Sequence, residues 1–399
     1  MNCRICNSSN LVPTIDLGKQ PWGNNFLRKS EIGKEPFYPL EVEFCQDCTC
    51  SQLNFTVPKE IMFSNHTYLS GMTSTLNNHF KSLATKVHQN YFEGSTDLSV
   101  LDIGSNDGTQ LKHYSDLGYE ILGVESSKNI VDIANKNGIH TKCAYFNEDF
   151  VSLLNKKFDV INASGIFFHL EELHSVTKGI KKALKDDGVF IVQFIYLKKM
   201  IENYAFDQIY HEHLLYYNLR SLEHLLNLHG LEIFDSEEVS IHGGSCIAYV
   251  AHKGSRKKTE RYKGMTQEED LNNLHLSETY ISYSKELLEI KHRNLSFLES
   301  CRKKNKTVFG MGAPVKGNTL LNFFEIDSNL ISKLVEINPL RKGLFSPGSH
   351  LEVVMENELS NPPDVFYVLA WNFKEEILKN NHELINDGTE FYFPVEVKN

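Results

Sequence analysis

Four cysteines near the N-terminus stand at metal-ligand spacing. Cys3 and Cys6 form one Cys-x-x-Cys, and Cys45 and Cys48 form a second. Each pair bends its own backbone so that two sulfurs face one ion, and two pairs complete a tetrahedral thiolate site. Four sulfurs leave no open position. The spacing therefore predicts a structural zinc that folds the N-terminus and takes no part in catalysis. Cys50 lies two residues beyond the second pair and is a possible decoy.

The densest proton chemistry lies at Phe206-Asp207-Gln208-Ile209-Tyr210-His211-Glu212-His213. Two histidines, a glutamate and a tyrosine fall within four residues. Each can move a proton, and histidine does so near neutral pH. On a strand, His211 and His213 would share one face and Glu212 would take the other. No third ligand stands at metal spacing, so acid–base work is the favoured reading over a second metal. His169, after the strand Phe158–Ser164, is a further candidate facing the same crevice.

Such groups need a scaffold and a co-reactant, and the preceding stretch supplies both. Val100-Leu101-Asp102-Ile103-Gly104 reads as an apolar strand entering a tight turn that closes at Gly108, with Thr109 opening a helix. Glycines let the backbone approach a ligand, and a helix N-terminus offers unpaired N–H groups. A second strand ends in Glu125, placed to accept from ribose hydroxyls. This order fits a dinucleotide or S-adenosylmethionine. Asp102 before the turn, and glycine at 104 and 108 without a three-glycine fingerprint, favour the latter. Asp102, Gly104, Asn106, Gly108, Glu125 and Ser164 are the candidate cofactor contacts.

Further on, His242-Gly243-Gly244-Ser245 precedes a strand, and glycine pairs there allow close backbone approach. A second Gly turn, Val308-Phe309-Gly310-Met311-Gly312-Ala313, leads into a helix near Lys316, an arrangement suited to a diphosphate. At 399 residues the chain is long enough for two or three cores. Pattern changes divide it into a zinc-binding domain over 1–65, a Rossmann-like α/β domain over 66–253 and a second Rossmann-like α/β domain over 254–399. The polar stretch His252–Asp270 reads as the boundary, and 271–305 as helix. A net charge of −10 argues against a nucleic-acid partner. No apolar run is long enough to span a membrane, and no apolar leader opens the chain, so the cysteines read as cytoplasmic thiols plus a metal. The oligomeric state is not legible in the sequence, and a monomer is compatible with it.

At these residues the chain resembles the zinc-containing C-methyltransferases of deoxysugar biosynthesis, which methylate a carbon of a nucleotide-linked 4-keto sugar. The paired knuckles, Ile103–Gly108, Phe206–His213, His242–Ser245 and Gly312–Asn322 match that family in order, as do Asn338-Pro339, Pro347-Gly348 and Leu369–Phe373. The resemblance implies that Tyr210, Glu212 and His213 line the active site with His169 and Tyr68. It implies His213 as base, with Tyr210 the close alternative, and Tyr210 or His169 holding the ketone oxygen while Glu212 orients a neighbour. His242, Gly244, Lys316 and Asn318 would face the nucleotide sugar, with C3 methylated. Two positions depart from the family: Ile247 stands where an arginine is usual, and Gln193 where an acidic residue is common.

Overall fold

The computed structural model describes residues 1–62, 70–72 and 74–395, which form three β-sheets. The first is antiparallel, in the order Leu11–Pro21, Phe37–Cys45, Ser51–Leu53, Leu215–Tyr216. Ile15 and Leu17 on one strand, and Leu40, Val42 and Phe44 on the next, alternate inward and bury one face. Pro13 lies on the edge strand beside a register shift, where a missing N–H costs no ladder bond. The fourth strand does not come from the N-terminus. It begins two residues beyond His213, so this sheet is built directly against the candidate catalytic segment.

The two cysteine turns meet at one end of this sheet. Cys3 and Cys48 sulfurs are 3.4 Å apart, Cys6 and Cys45 sulfurs 3.5 Å, and all four lie within 4.8 Å of one another. All eight cysteines are free thiols. A tetrahedron with Zn–S bonds of ~2.3 Å has S–S edges of about 3.8 Å, so the donor set and its size fit zinc. Cys50 is outside the group: its thiol donates to the Ser51 carbonyl, and burial pushes its pKa up.

The central sheet has seven strands in the order Leu231–Val239, Ser245–His252, Leu184–Ile195, Phe158–Ser164, Ser99–Ile103, Glu120–Glu125, Thr141–Cys143. The last five are parallel, and the first two form an antiparallel hairpin at the edge. The parallel strands are apolar and almost wholly buried, because helices cover both faces. The chain reverses its lateral direction between Ser99–Ile103 and Phe158–Ser164. Ligands bind at such a switch point, beyond the carboxyl ends of the strands.

The third sheet is wholly parallel: Val353–Met355, Leu334–Glu336, Val308–Met311, Val365–Val368, Glu390–Tyr392. The polar stretch before it contains the helix Glu260–Leu271, so it is more than a connector. Tyr262, Met265 and Glu269 give that helix one buried face, and the Glu269 carboxylate accepts from the Leu219 amide at 2.6 Å. The helix Ser277–Lys303 then spans the molecule. Tyr280 stacks on Phe44 at 4.9 Å, and Asn294 accepts from the Tyr367 hydroxyl at 2.8 Å. One continuous apolar core joins all three sheets, from Phe44 through Tyr217 to Leu320 and Trp371.

Purified protein is expected to carry about one zinc per chain. Elemental analysis finding no metal in chelator-free preparations would overturn this. Cys3→Ser should cost about 4 kcal/mol or more of stability, as losing a structural metal does, measured by denaturant titration.

Candidate active site

The segment from Phe206 to His213 is pinned before it turns. Phe206 packs against Phe323 and Phe324 of the helix Val315–Phe324, at 5.4 and 5.3 Å. Asp207 is completely buried, and its Oδ2 accepts from Trp371 Nε1 at 2.6 Å. Gln208 Nε2 donates to the His242 carbonyl at 2.7 Å. The chain then turns tightly, with the His213 amide donating to the Tyr210 carbonyl at 2.8 Å. This is a turn and not a strand, so the two histidines diverge. His211 Nε2 bonds the Pro39 carbonyl of the zinc-bearing sheet at 3.2 Å. His213 Nδ1 bonds the Gln208 carbonyl at 2.7 Å.

A carbonyl only accepts, so His213 carries its proton on Nδ1, which leaves Nε2 as the basic nitrogen. Its ring lies 3.8 Å from that of Tyr210, 4.5 Å from Phe168 and 5.0 Å from His169. Burial holds its pKa well below the ordinary histidine value, with His169 and His242 adding to the effect. His213 is therefore neutral at physiological pH, as a base must be. His169 Nδ1 bonds the backbone carbonyl of Glu212 at 2.6 Å, so the same turn orients both imidazoles. The Glu212 side chain points away from them and accepts from Trp22 Nε1 at 2.7 Å. Burial raises its pKa to about 7, against the lowering effect of the indole N–H. Tyr68 lies outside the described residues.

The cofactor turn follows the strand Ser99–Ile103. Gly104 and Gly108 adopt the left-handed conformation, and a Cβ on Gly108 would sit 2.5 Å from Ile139 Cγ2. Asn106 is left-handed too, and its amide donates to Glu125 Oε2 at 3.3 Å. Glu125 thus stands at the mouth of the turn, held also by the Ser127 amide at 2.9 Å. Asp102 is buried below the turn, its pKa raised by burial and by Glu125. Ser164 Oγ, at the end of Phe158–Ser164, is buried without a hydrogen-bond partner, a polar atom that a ligand would satisfy. These residues fit S-adenosylmethionine: a carboxylate for ribose, a glycine turn for close approach and an unpaired hydroxyl at the switch point.

The substrate-side candidates divide. His242 is left-handed and exposed, with the positive charge of Lys316 acting to lower its pKa. Lys316 donates to Asn372 Oδ1 and lies 4.8 Å above the Trp371 ring. Gly244 allows the hairpin to approach Lys199, whose Cβ would lie 2.5 Å from an added Cβ. Asn318 is set apart, almost wholly buried, with Nδ2 donating to the Gly23 carbonyl at 2.7 Å. Of the two departures from the family, Ile247 is buried in the core, and Gln193 Oε1 meets His79 Nε2 at 2.6 Å.

Sequence reasoning assigned no role to Trp22, Asp207, Gln208, Trp371 or His79. The tryptophans carried one signal: the chain has only two, and each donates to an acid of the same eight-residue segment.

Two outcomes follow from this geometry. Glu125→Ala should weaken S-adenosylmethionine binding by on the order of 1–3 kcal/mol, the cost of lost hydrogen bonds to a charged group. Unchanged affinity by calorimetry would remove Glu125 from the ribose site. His211 is held near pKa 4 by burial, against an ordinary value of 6.5. As pH falls below about 6.5, the unfolded chain takes up a proton that the folded chain refuses, so stability falls. Between pH 7 and 5 this costs about 2 kcal/mol, a loss that His211→Phe should remove from the pH slope of urea titrations.

Residues 3–63 match a family described as a zinc binding domain, 76–236 a methyltransferase domain, and 240–396 a C-methyltransferase C-terminal domain. The chain is 27% identical to the C-methyltransferase NovU of Streptomyces niveus over 399 residues, covering 98% of this chain and 95% of that protein. Magnesium protoporphyrin IX methyltransferase from Synechocystis PCC 6803, solved with bound S-adenosylmethionine, is 12% identical. That match covers 49% of this chain and 89% of the other, with a TM-score of 0.36. Three family matches in order along the chain and a relative aligned along almost its entire length show an S-adenosylmethionine-dependent C-methyltransferase with an N-terminal zinc-binding domain.

Proposed function

We propose that the chain methylates the carbon beside the ketone of a nucleotide-linked 4-keto deoxysugar, at C3, with His213 as general base. The observation that carries this reading is the neutral, Nδ1-anchored His213, packed between Tyr210 and His169. A ketone makes the adjacent C–H acidic enough for an imidazole to remove its proton. His213 Nε2 takes that proton. Tyr210 donates to the oxygen on which enolate charge collects, or His169 does so as an imidazolium, since a neutral His169 spends its one proton on the Glu212 carbonyl. The backbone of Glu212 aligns His169 for this. Bound S-adenosylmethionine would supply a sulfonium methyl, the electrophile that the enolate carbon takes up, with Asp102, Gly104, Asn106, Gly108, Glu125 and Ser164 holding it.

In this reading residues 1–65 form the zinc module, 66–253 the methyltransferase domain, and 254–399 the domain that grips the nucleotide. His242, Gly244 and Lys316 face the sugar nucleotide, and Asn318 acts indirectly, through the Gly23 loop. Among the described residues no helix is long and apolar enough to cross a membrane.

His213→Asn should bind both ligands nearly normally and lose methyl transfer by roughly 100-fold or more. It should also lose exchange of the substrate's acidic C–H with heavy water, measured by NMR with S-adenosylhomocysteine in place of the methyl donor. A residue that only positions the methyl donor slows transfer and leaves exchange intact. Exchange that survives in His213→Asn and vanishes in Tyr210→Phe would assign the base to the tyrosine. A panel of nucleotide sugars with and without the 4-keto group tests the substrate class, and methylation of the non-keto sugars would overturn it.

A further inference from the structure

The catalytic turn is attached to the zinc-bearing sheet at three points. Leu215–Tyr216 pairs with Ser51–Gln52 as the sheet's fourth strand. His211 bonds the Pro39 carbonyl. Trp22, at the end of the strand Leu11–Pro21, donates its indole N–H to Glu212 across 190 positions of sequence. The third contact differs in kind, because Glu212 also carries the backbone carbonyl that orients His169 and directly precedes His213.

The loop that bears Trp22 is itself held from the other side. The Gly23 carbonyl accepts from Asn318, Leu27 and Phe345 exchange backbone bonds, and the Arg341 guanidinium lies 4.6 Å from the Phe26 ring centroid. A Cβ on Gly23 would meet Val315 Cγ1 at 3.2 Å, so the loop runs tightly against the helix Val315–Phe324. Trp22 therefore reaches Glu212 from a fixed base. A carboxyl with 8% exposure has few rotamers open to it once one oxygen is held by a rigid indole.

The geometry points to Trp22 as a positioning residue of methyl transfer: its indole N–H fixes Glu212, and through the Glu212 backbone sets His169 and His213. The zinc module thereby contributes to turnover as well as to folding. This inference rests on the proposed roles of His213 and His169. The raised pKa of Glu212 agrees with it, since a buried carboxyl with a single donor among the described residues depends heavily on that donor.

The test uses zinc-loaded full-length enzyme, S-adenosylmethionine and a nucleoside-diphosphate 4-keto-6-deoxyhexose. Trp22→Phe, Glu212→Gln and the double variant are compared, together with benzothienylalanine at position 22, which keeps the indole shape and lacks the N–H. Loss of the donor should lower kcat by roughly 10- to 100-fold, the range for small misplacements of reacting groups, with KM changed less than about twofold. The double variant should be no slower than Glu212→Gln alone. The Nδ1–H resonance of His169 in a nitrogen-15 NMR spectrum should shift in the benzothienylalanine protein. That readout needs no substrate, and a merely structural tryptophan would not move it once its shape is preserved. A wild-type kcat and an unshifted His169 resonance in the benzothienylalanine protein overturn the inference. So do losses that multiply in the double variant. If Glu212→Gln transfers methyl at the wild-type rate while the His169 resonance still shifts, the coupling stands and the catalytic reading of the turn falls instead.

Discussion

Two buried carboxyl groups on one eight-residue segment each receive an indole N–H from a different part of the chain. Trp22 donates to Glu212 and Trp371 to Asp207. A carboxyl taken out of water without a donor is strongly destabilising, and its pKa climbs until it neutralises. Both acids here are pushed upward by burial and pulled back by the indole they meet. The segment is thus comfortable only when the zinc-bearing sheet and the C-terminal domain are both docked on it. The continuous apolar core that runs through all three sheets makes the same point in packing terms.

Burial also sorts the titratable groups. It drives His211 and His213 toward the neutral imidazole while it raises Glu212 and Asp207. Neutrality puts His213 in the state needed to accept a proton, though a strongly desolvated imidazole is a weak base. In the proposed mechanism the balance is restored by donors that take up charge on the substrate oxygen as the proton leaves.

The central and C-terminal sheets share a plan. Counted within each unit, the parallel strands lie in the order 3-2-1-4-5, and the central sheet adds an antiparallel hairpin. Each unit ends its second strand in a glutamate, Glu125 or Glu336, that accepts from a backbone amide of the first turn: Asn106 at 3.3 Å and Ala313 at 2.8 Å. In the C-terminal unit that glutamate is also paired with Arg341 at 3.6 Å, and Arg341 donates to the Ala313 carbonyl. The same local device is thus committed to internal bonds in the second unit, which meets the central segment through Trp371, bonded to Asp207 with Lys316 above its ring.

The sequence by itself determined the features whose physics is local. Cysteine spacing defines a thiolate cluster because each pair is closed by its own short turn. The run from Asp102 to Gly108, followed by Glu125, defines a nucleotide turn because strand, turn and helix N-terminus are contiguous or nearly so. The helix Glu260–Leu271 escaped notice because only three of its residues face inward, on a mostly polar surface. Tertiary structure alone decided the division of labour inside Tyr210–His213. Two histidines of the same type, two positions apart, became an anchor and a base candidate. One found a carbonyl 172 positions away, while the other closed onto its own turn. Trp22 and Asn318 gained their meaning from partners 190 and 295 positions distant. Periodicity and spacing report what a residue's near neighbours require of it. A hydrogen bond between groups hundreds of residues apart depends on how whole sheets dock, and only the folded chain contains that information.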